Sequence, residues 1–261
     1  MLIFFAVSLL ASTVGAICGI GGGVIIKPVL DLLHLETVSA ISFLSGCTVL
    51  SMSSYSVGKS LLAKEHSVAL STGTPLAIGA AVGGLAGNQL FAAVRQLSGA
   101  PDRVGAVQAA CLALVTTGTL LYTLNKNRIT THRVQNPAAC LAIGLALGCM
   151  SSFLGIGGGP INLVVLYYYF SMDTKTAAAN SLYVIFFSQL CNLLATFATN
   201  ALPDIRWPVL ALMVTGGIGG GIIGRKLNKQ IEGRTVEHLF IVLMVIIICI
   251  SVFNTWRYAV Q

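Results

Sequence analysis

The residues of this chain best suited to chemistry are two glycine clusters. Gly19-Ile20-Gly21-Gly22-Gly23 recurs as Gly155-Ile156-Gly157-Gly158-Gly159, an offset of 136 positions. Residues without bulky side chains leave backbone N–H groups open to a ligand. Each cluster runs straight into a predicted helix start, and a helix N-terminus carries about half a positive charge. Together these features make an anion site that needs no formal charge. The alternative is that the glycines merely permit a tight turn between packed helices. The pattern is not a dinucleotide fingerprint, because no strand precedes it and its surroundings are apolar.

Lys27 follows four residues after Gly23. A lysine in an apolar membrane segment is costly and marks function by default. The alternative to a substrate role is an i,i+4 pair with Asp31, one helical turn on, and His34 and Glu36 fall near the membrane surface. Leu163 holds the repeat-equivalent position, so any charge is one-sided, while Asn162 places a polar group near the second tip. Small polar residues follow on the next helices: Ser45 and Thr48, then Asn180, Ser181, Ser188, Gln189 and Asn192. Most such groups bond a neighbouring helix. Asn180 and Ser181 are the better candidates for lining a cavity, and Ser45 corresponds to Ser181. The candidate substrate-binding set is Gly19, Gly21, Gly22, Gly23, Lys27, Ser45, Gly155, Gly157, Gly158, Gly159, Asn162, Asn180 and Ser181.

Other chemistries find little support. Eight acidic residues lie mostly in loops, and the four histidines (34, 66, 132 and 238) are scattered near segment ends. No HExxH or GxSxG motif and no paired intramembrane carboxylate appears. No enzyme activity, metal site or cofactor is expected. None of the seven cysteines forms a CxxC pair, and only Cys18 abuts a glycine cluster. The net charge of +7 comes from basic residues set singly or in small groups between apolar runs, which argues against nucleic acid and for membrane topology.

The elements that must position these residues are membrane helices. The chain is 56% hydrophobic and 9% charged, with mean hydropathy +0.87. Soluble domains carry about 25% charged residues, so the bilayer is the expected solvent. Six segments reach the ~20 residues of a full span: 37–58, 68–94, 102–124, 174–200, 208–227 and 235–258. The pieces 24–35 and 160–171 are too short to cross, and each follows a glycine cluster. The segments before the clusters, 2–17 and 136–154, are at the short end. The N-terminal stretch lacks a basic n-region and reads as a mature membrane segment. A second ladder, Gly79/Gly83/Gly87, recurs as Gly216/Gly220/Gly224. Glycine every fourth residue lets helices approach closely. The expected organisation is a first repeat over 1–124, a polar linker over 125–135 and a second repeat over 136–261.

Basic residues orient the repeats. Lys27 lies deep in an apolar segment, leaving fourteen others. If the glycine clusters sit inside single spans, these divide evenly between the two sides. If each cluster is the tip of a hairpin that returns to its starting side, ten share one side: Lys59, Lys64, Lys126, Arg128, Arg133, Lys175, Arg225, Lys226, Lys229 and Arg234. Only Arg95, Arg103, Arg206 and Arg257 remain opposite. The positive-inside rule favours the biased arrangement. The fold expected is an all-α integral membrane protein of two inverted repeats, each a glycine-tipped helical hairpin plus three transmembrane helices. Such architectures belong to secondary transporters with a midplane site.

The openings Gly15-Ala16-Ile17-Cys18-Gly19-Ile20-Gly21-Gly22-Gly23 and Gly155-Ile156-Gly157-Gly158-Gly159-Pro160 resemble the sulfite exporter TauE/SafE family. Pro28-Val29-Leu30 is similar to its P-x-L pattern, and Thr176-Ala177-Ala178-Ala179-Asn180-Ser181 resembles its alanine-plus-polar helix start. The second half departs from this, with Val164 where the proline would recur. The resemblance implies a multi-pass protein of the cell (inner) membrane. Its cargo would be a small sulfur-containing anion: sulfite, thiosulfate or an organosulfonate. No ATP-binding motif appears, so transport would be secondary active or channel-like. The partners are that anion and the lipid bilayer, with a homodimer an allowed assembly. The contrasting reading is a membrane-embedded accessory subunit without its own substrate. Single cysteines at Thr130 and Gln261, in a background without accessible thiols, should label with an impermeant reagent from opposite sides of the membrane. Labelling of both from one side refutes the hairpin arrangement.

Overall fold

Helices make up nearly all of the computed structural model, which describes residues 1–33, 36–63, 69–98, 101–156, 158–199 and 202–260. In chain order they are α1 (Leu2–Cys18), α2 (Gly23–Leu33), α3 (Val38–Leu62), α4 (Leu70–Ser98), α5 (Pro101–Asn125), α6 (Pro137–Phe153), α7 (Pro160–Phe170), α8 (Thr174–Ala198), α9 (Trp207–Gln230) and α10 (Gly233–Val260). No strand occurs among the described residues. Lengths run 17, 11, 25, 29 and 25 residues, then 17, 11, 25, 24 and 28. The expected all-α membrane fold is borne out: α3, α4, α5, α8, α9 and α10 are each long and apolar enough to cross a bilayer. At 1.5 Å per residue, α2 and α7 reach only about 16 Å, half the ~30 Å hydrocarbon core.

Local chemistry sets the breaks. α1 ends on Gly19 in the left-handed conformation, its N–H returning to Gly15 O. α3 starts on Thr37, whose hydroxyl accepts from Ala40 N, and α8 on Asp173, whose carboxylate accepts from Lys175 N and Thr176 N. These are N-caps that satisfy otherwise orphaned donors. Pro137 and Pro160 begin α6 and α7, where a missing N–H does no harm. The segment after α5 is docked: His132 N donates to Tyr168 O at 2.7 Å and Val134 N to Tyr169 O at 2.9 Å, both at the end of α7.

The glycine ladders are contact surfaces. A Cβ at Gly79, Gly83 or Gly87 would overlap the carbonyl oxygen of Leu141, Leu145 or Cys149, respectively, on α6. Gly144 and Gly148 meet Leu76 O and Ala80 O in return. Gly220 and Gly224 press in the same way on Leu9 O and Thr13 O of α1, and Gly216 meets Ser8 Oγ with Phe5 O 3.1 Å from its would-be Cβ. Numbers rise together along both contacts, so α4 runs parallel to α6 and α9 parallel to α1. Ile20 and Ile156, the isoleucines of the two clusters, are buried in one shared core with Phe240 and Met244.

Gly83→Leu and Gly220→Leu should each cut the folded yield sharply. Overpacking of this kind costs about 3 kcal/mol at the upper end of its usual range. Size-exclusion recovery and detergent melting temperature check this; normal values would show that the helices separate freely.

Candidate functional site

The two glycine tips touch. A Cβ at Gly23 would overlap Ile156 O and lie 3.0 Å from Ser45 Oγ, and Gly159 faces Val24. Around this contact the tips differ. Gly19 is closed by the Ala178 backbone, Gly21 faces Ile185 and Val49, and Gly22 lies against Ser12. At the second tip, a Cβ on Gly155 (φ 66) would stand 2.6 Å from Lys27 Nζ and 2.8 Å from Ser42 Oγ. Only glycine combines that conformation with that proximity. Gly158 presses on Ile185; Gly157 lies outside the described residues.

Lys27 is 3% exposed. Its Nζ donates to Gln108 Oε1 at 2.6 Å and to Leu154 O at 2.8 Å. Gln108 Nε2 donates in turn to Phe153 O at 2.7 Å. The ammonium therefore serves the end of α6, where carbonyls carry partial negative charge. The alternative Lys27–Asp31 ion pair is not formed: the ion pairs among the described residues are Lys126–Glu237 and Arg206–Glu36. Helical side chains lean toward the N-terminus, so Lys27 reaches back to the second tip and away from Asp31. Asp31 Oδ1 is buried without a hydrogen-bond partner.

Above the ammonium opens a cavity of about 820 Å³. Ser42, Gln108, Ser152, Gly155, Gln189 and Asn192 are among the residues that give it polar groups, and Phe43, Leu85, Phe91 and Leu193 among those that give apolar walls. Asn192 Nδ2 donates to Ser152 Oγ at 2.7 Å. Asn192 Oδ1 and Ser42 Oγ are buried without partners, which is uncommon for polar atoms unless a ligand or water takes them. The arrangement is neutral hydrogen-bonding groups with one cation behind them, suited to a small anion.

The sequence profile described as Sulfite exporter TauE/SafE matches residues 4–251. The chain belongs to the sulfite exporter TauE/SafE family. This is a family of membrane transporters and not of enzymes. The chain is similar to the "Probable membrane transporter protein YunE" of Bacillus subtilis, 24% identical over 109 residues, covering 42% of this chain and 39% of that protein. It is 30% identical over 111 residues to "Probable membrane transporter protein MamO" of Magnetospirillum gryphiswaldense, covering 41% of this chain and 18% of that protein. A "Probable membrane transporter protein" of Xylella fastidiosa is 30% identical over 117 residues, 44% of this chain and 43% of its own. The matched stretches thus span less than half of these relatives. No solved structure gives a significant match.

Within this TauE/SafE chain the remaining candidates divide. Asn162 is buried and its Oδ1 has no partner. It faces a void of about 10 Å³ shared with Ser151, Gly158 and Ser188, roughly the room one water needs. Ser45 and Ser181 are buried with unpartnered hydroxyls. Asn180 accepts from Ala69 N at 3.0 Å and donates to Thr176 O at 2.8 Å, holding the start of α4; neither it nor Ser181 lines the large cavity. Several tip donors are taken: Gly155 N bonds Ser152 O and Ile156 N bonds Ser151 O, while Gly19 N and Ile20 N both bond Gly15 O. The residues that sequence reasoning passed over are Ser42, Gln108 and Ser152. Gln108 carried a signal, as the one amide in the apolar stretch 104–124; the serines carried none.

Gln108→Leu should lower stability by about 2–3 kcal/mol, because hydrogen bonds to charged groups contribute roughly that much. Gln108→Glu should lose much less, since it keeps an acceptor for Lys27. Melting temperatures in detergent test this, and equal losses in both variants would place the role of Gln108 elsewhere.

Proposed function

We propose that this protein is a secondary transporter of a small sulfur-containing anion, with sulfite, thiosulfate and organosulfonates as its substrate class. The anion enters the large cavity and is held near the midplane where the two glycine tips meet. One observation carries the reading: the Lys27 ammonium is buried behind Gly155, bonded only to neutral acceptors among the described contacts. A buried cation with no carboxylate in contact attracts an anion strongly, because little solvent screens it. The N-terminal ends of α2 and α7 add positive potential at the tips.

The two halves, divided at the polar linker, form inverted repeats in this reading. The Phe4 ring lies 5.8 Å from the Arg206 guanidinium, Arg206 pairs with Glu36, and Arg257 Nη1 donates to Leu32 O. The start of α1 and the end of α2 therefore share one end of the bundle with Arg206 and Arg257. His132 and Val134, just before α6, bond the end of α7, and Lys126 pairs with Glu237 near the start of α10. These contacts support hairpins that return to their own sides, on opposite faces, as the basic residues suggest.

Purified protein in liposomes should take up labelled thiosulfate, sulfite or methanesulfonate without any other protein. Lys27→Gln should weaken anion binding at least about tenfold, ~1.4 kcal/mol, and Lys27→Arg should recover part of it. If the folded protein moves none of these anions, the reading fails and the accessory-subunit alternative takes its place.

A further inference from the structure

Among the described residues Asp31 is the one buried carboxylate, one helical turn along α2 from Lys27, and the anion site does not use it. It is 8% exposed, and its Oδ1 has no hydrogen-bond partner. An ionised carboxylate so placed normally gathers donors, because burying a charge without them is costly. Its helix offers none: Lys27, one turn away, spends its reach on Gln108 and Leu154 O. The elements packed on α2 supply little more. From α10, Asn254 Nδ2 goes to Pro28 O and Arg257 Nη1 to Leu32 O, both backbone atoms. From α1, α3 and α9 the layer around Ile26 and Leu30 is apolar: Phe4, Ala11, Ile41, Leu44, Val209 and Met213. His34 lies outside the described residues. Lys27 is thus the charge that balances Asp31, at a distance and without contact.

We infer that Asp31 is the proton-coupling site of transport, so that one proton accompanies each monovalent anion. The inference rests on the anion-transport reading above and names its coupling ion. Charge balance carries it. In the empty protein, Lys27 and Asp31 are opposite charges on one short helix, and their sum is zero. An anion at the tips becomes the closer counter-charge of Lys27, and an ionised Asp31 would leave the buried region at net −1. A net charge in a low-dielectric interior is heavily disfavoured. A proton from hydronium, which is left as water, onto the Asp31 carboxylate restores neutrality: one O–H bond breaks in the hydronium and one forms on the carboxylate. Its small residual exposure lets a proton arrive while keeping the group out of bulk water. When the anion leaves, the carboxyl again faces an uncompensated ammonium and releases the proton.

The test uses liposomes containing the full-length protein and the pH dye pyranine, with the membrane potential clamped by potassium and valinomycin. The probe is labelled methanesulfonate, a monovalent anion that does not itself buffer near neutral pH. Wild type should acidify the lumen as it takes up methanesulfonate, at one proton per anion, and should concentrate the anion when the lumen starts more alkaline than the bath. Asp31→Asn, close to isosteric, should lose the acidification and the concentration but still let the anion equilibrate. Asp31→Glu should retain acidification, and His34→Gln should behave as wild type. Anion uptake by wild type without proton movement overturns the coupling and leaves the transport reading standing; this measurement needs no variant to fold. Acidification by Asp31→Asn at the wild-type rate, or its loss in His34→Gln alone, also overturns it. Absence of any anion flux in wild type overturns both readings together.

Discussion

A helix that stops inside a membrane protein strands its last carbonyl groups where no lipid can accept a hydrogen bond and little water is present. Two helices here do so, α1 at Cys18 and α6 at Phe153. At the first, Gly19 and Ile20 turn their N–H groups back to Gly15 O, and Asn228 Nδ2 from α9 donates to Ile17 O at 2.6 Å. At the second, Gly155 and Ile156 do the same for Ser152 and Ser151, Gln108 serves Phe153 O, and Lys27 serves Leu154 O. The same constraint is met by a neutral amide alone at one tip and by an amide together with an ammonium at the other. The chemical character of the candidate site follows from that difference.

The difference also explains why one tip is open and the other closed. Gly19 is sealed by the Ala178 backbone, whereas the equivalent Gly155 looks onto Ser42 and the Lys27 ammonium. Polar residues gather on the open side because a cation held there needs acceptors and a route to polar ligands. Gln108 is the link, bonding the ammonium with one end of its amide and α6 with the other while lining the cavity.

Close backbone packing makes this geometry possible. Asn228 reaches Ile17 O because α9 lies against α1 along Gly216, Gly220 and Gly224. The second ladder seats α6 against α4, fixing the height at which Phe153 and Leu154 end. Side chains at these positions would push the helices apart by more than a hydrogen bond tolerates. The ladders and the tips are therefore one system: the first sets the spacing that the second uses.

Much of this was legible in the sequence. Composition gave the bilayer as solvent, segment length gave the six long helices and the two short ones, and the glycine clusters marked where helices break. The ladders announced close packing, and the family was recognisable from the same motifs. Lys27 stood out as a buried cation because its neighbours are apolar. All of these depend on residue type and local spacing, which a linear chain states directly. The partners of Lys27 did not follow. Asp31 at i+4 was the one that spacing offered, but the side chain leans the other way and meets Gln108 and Leu154, 81 and 127 positions distant. Asn180, read as a cavity residue, holds the start of α4 instead. Which carbonyls a cation serves, and which tip faces a cavity, are contacts between segments far apart in the chain, and only the packing of the helices brings them together.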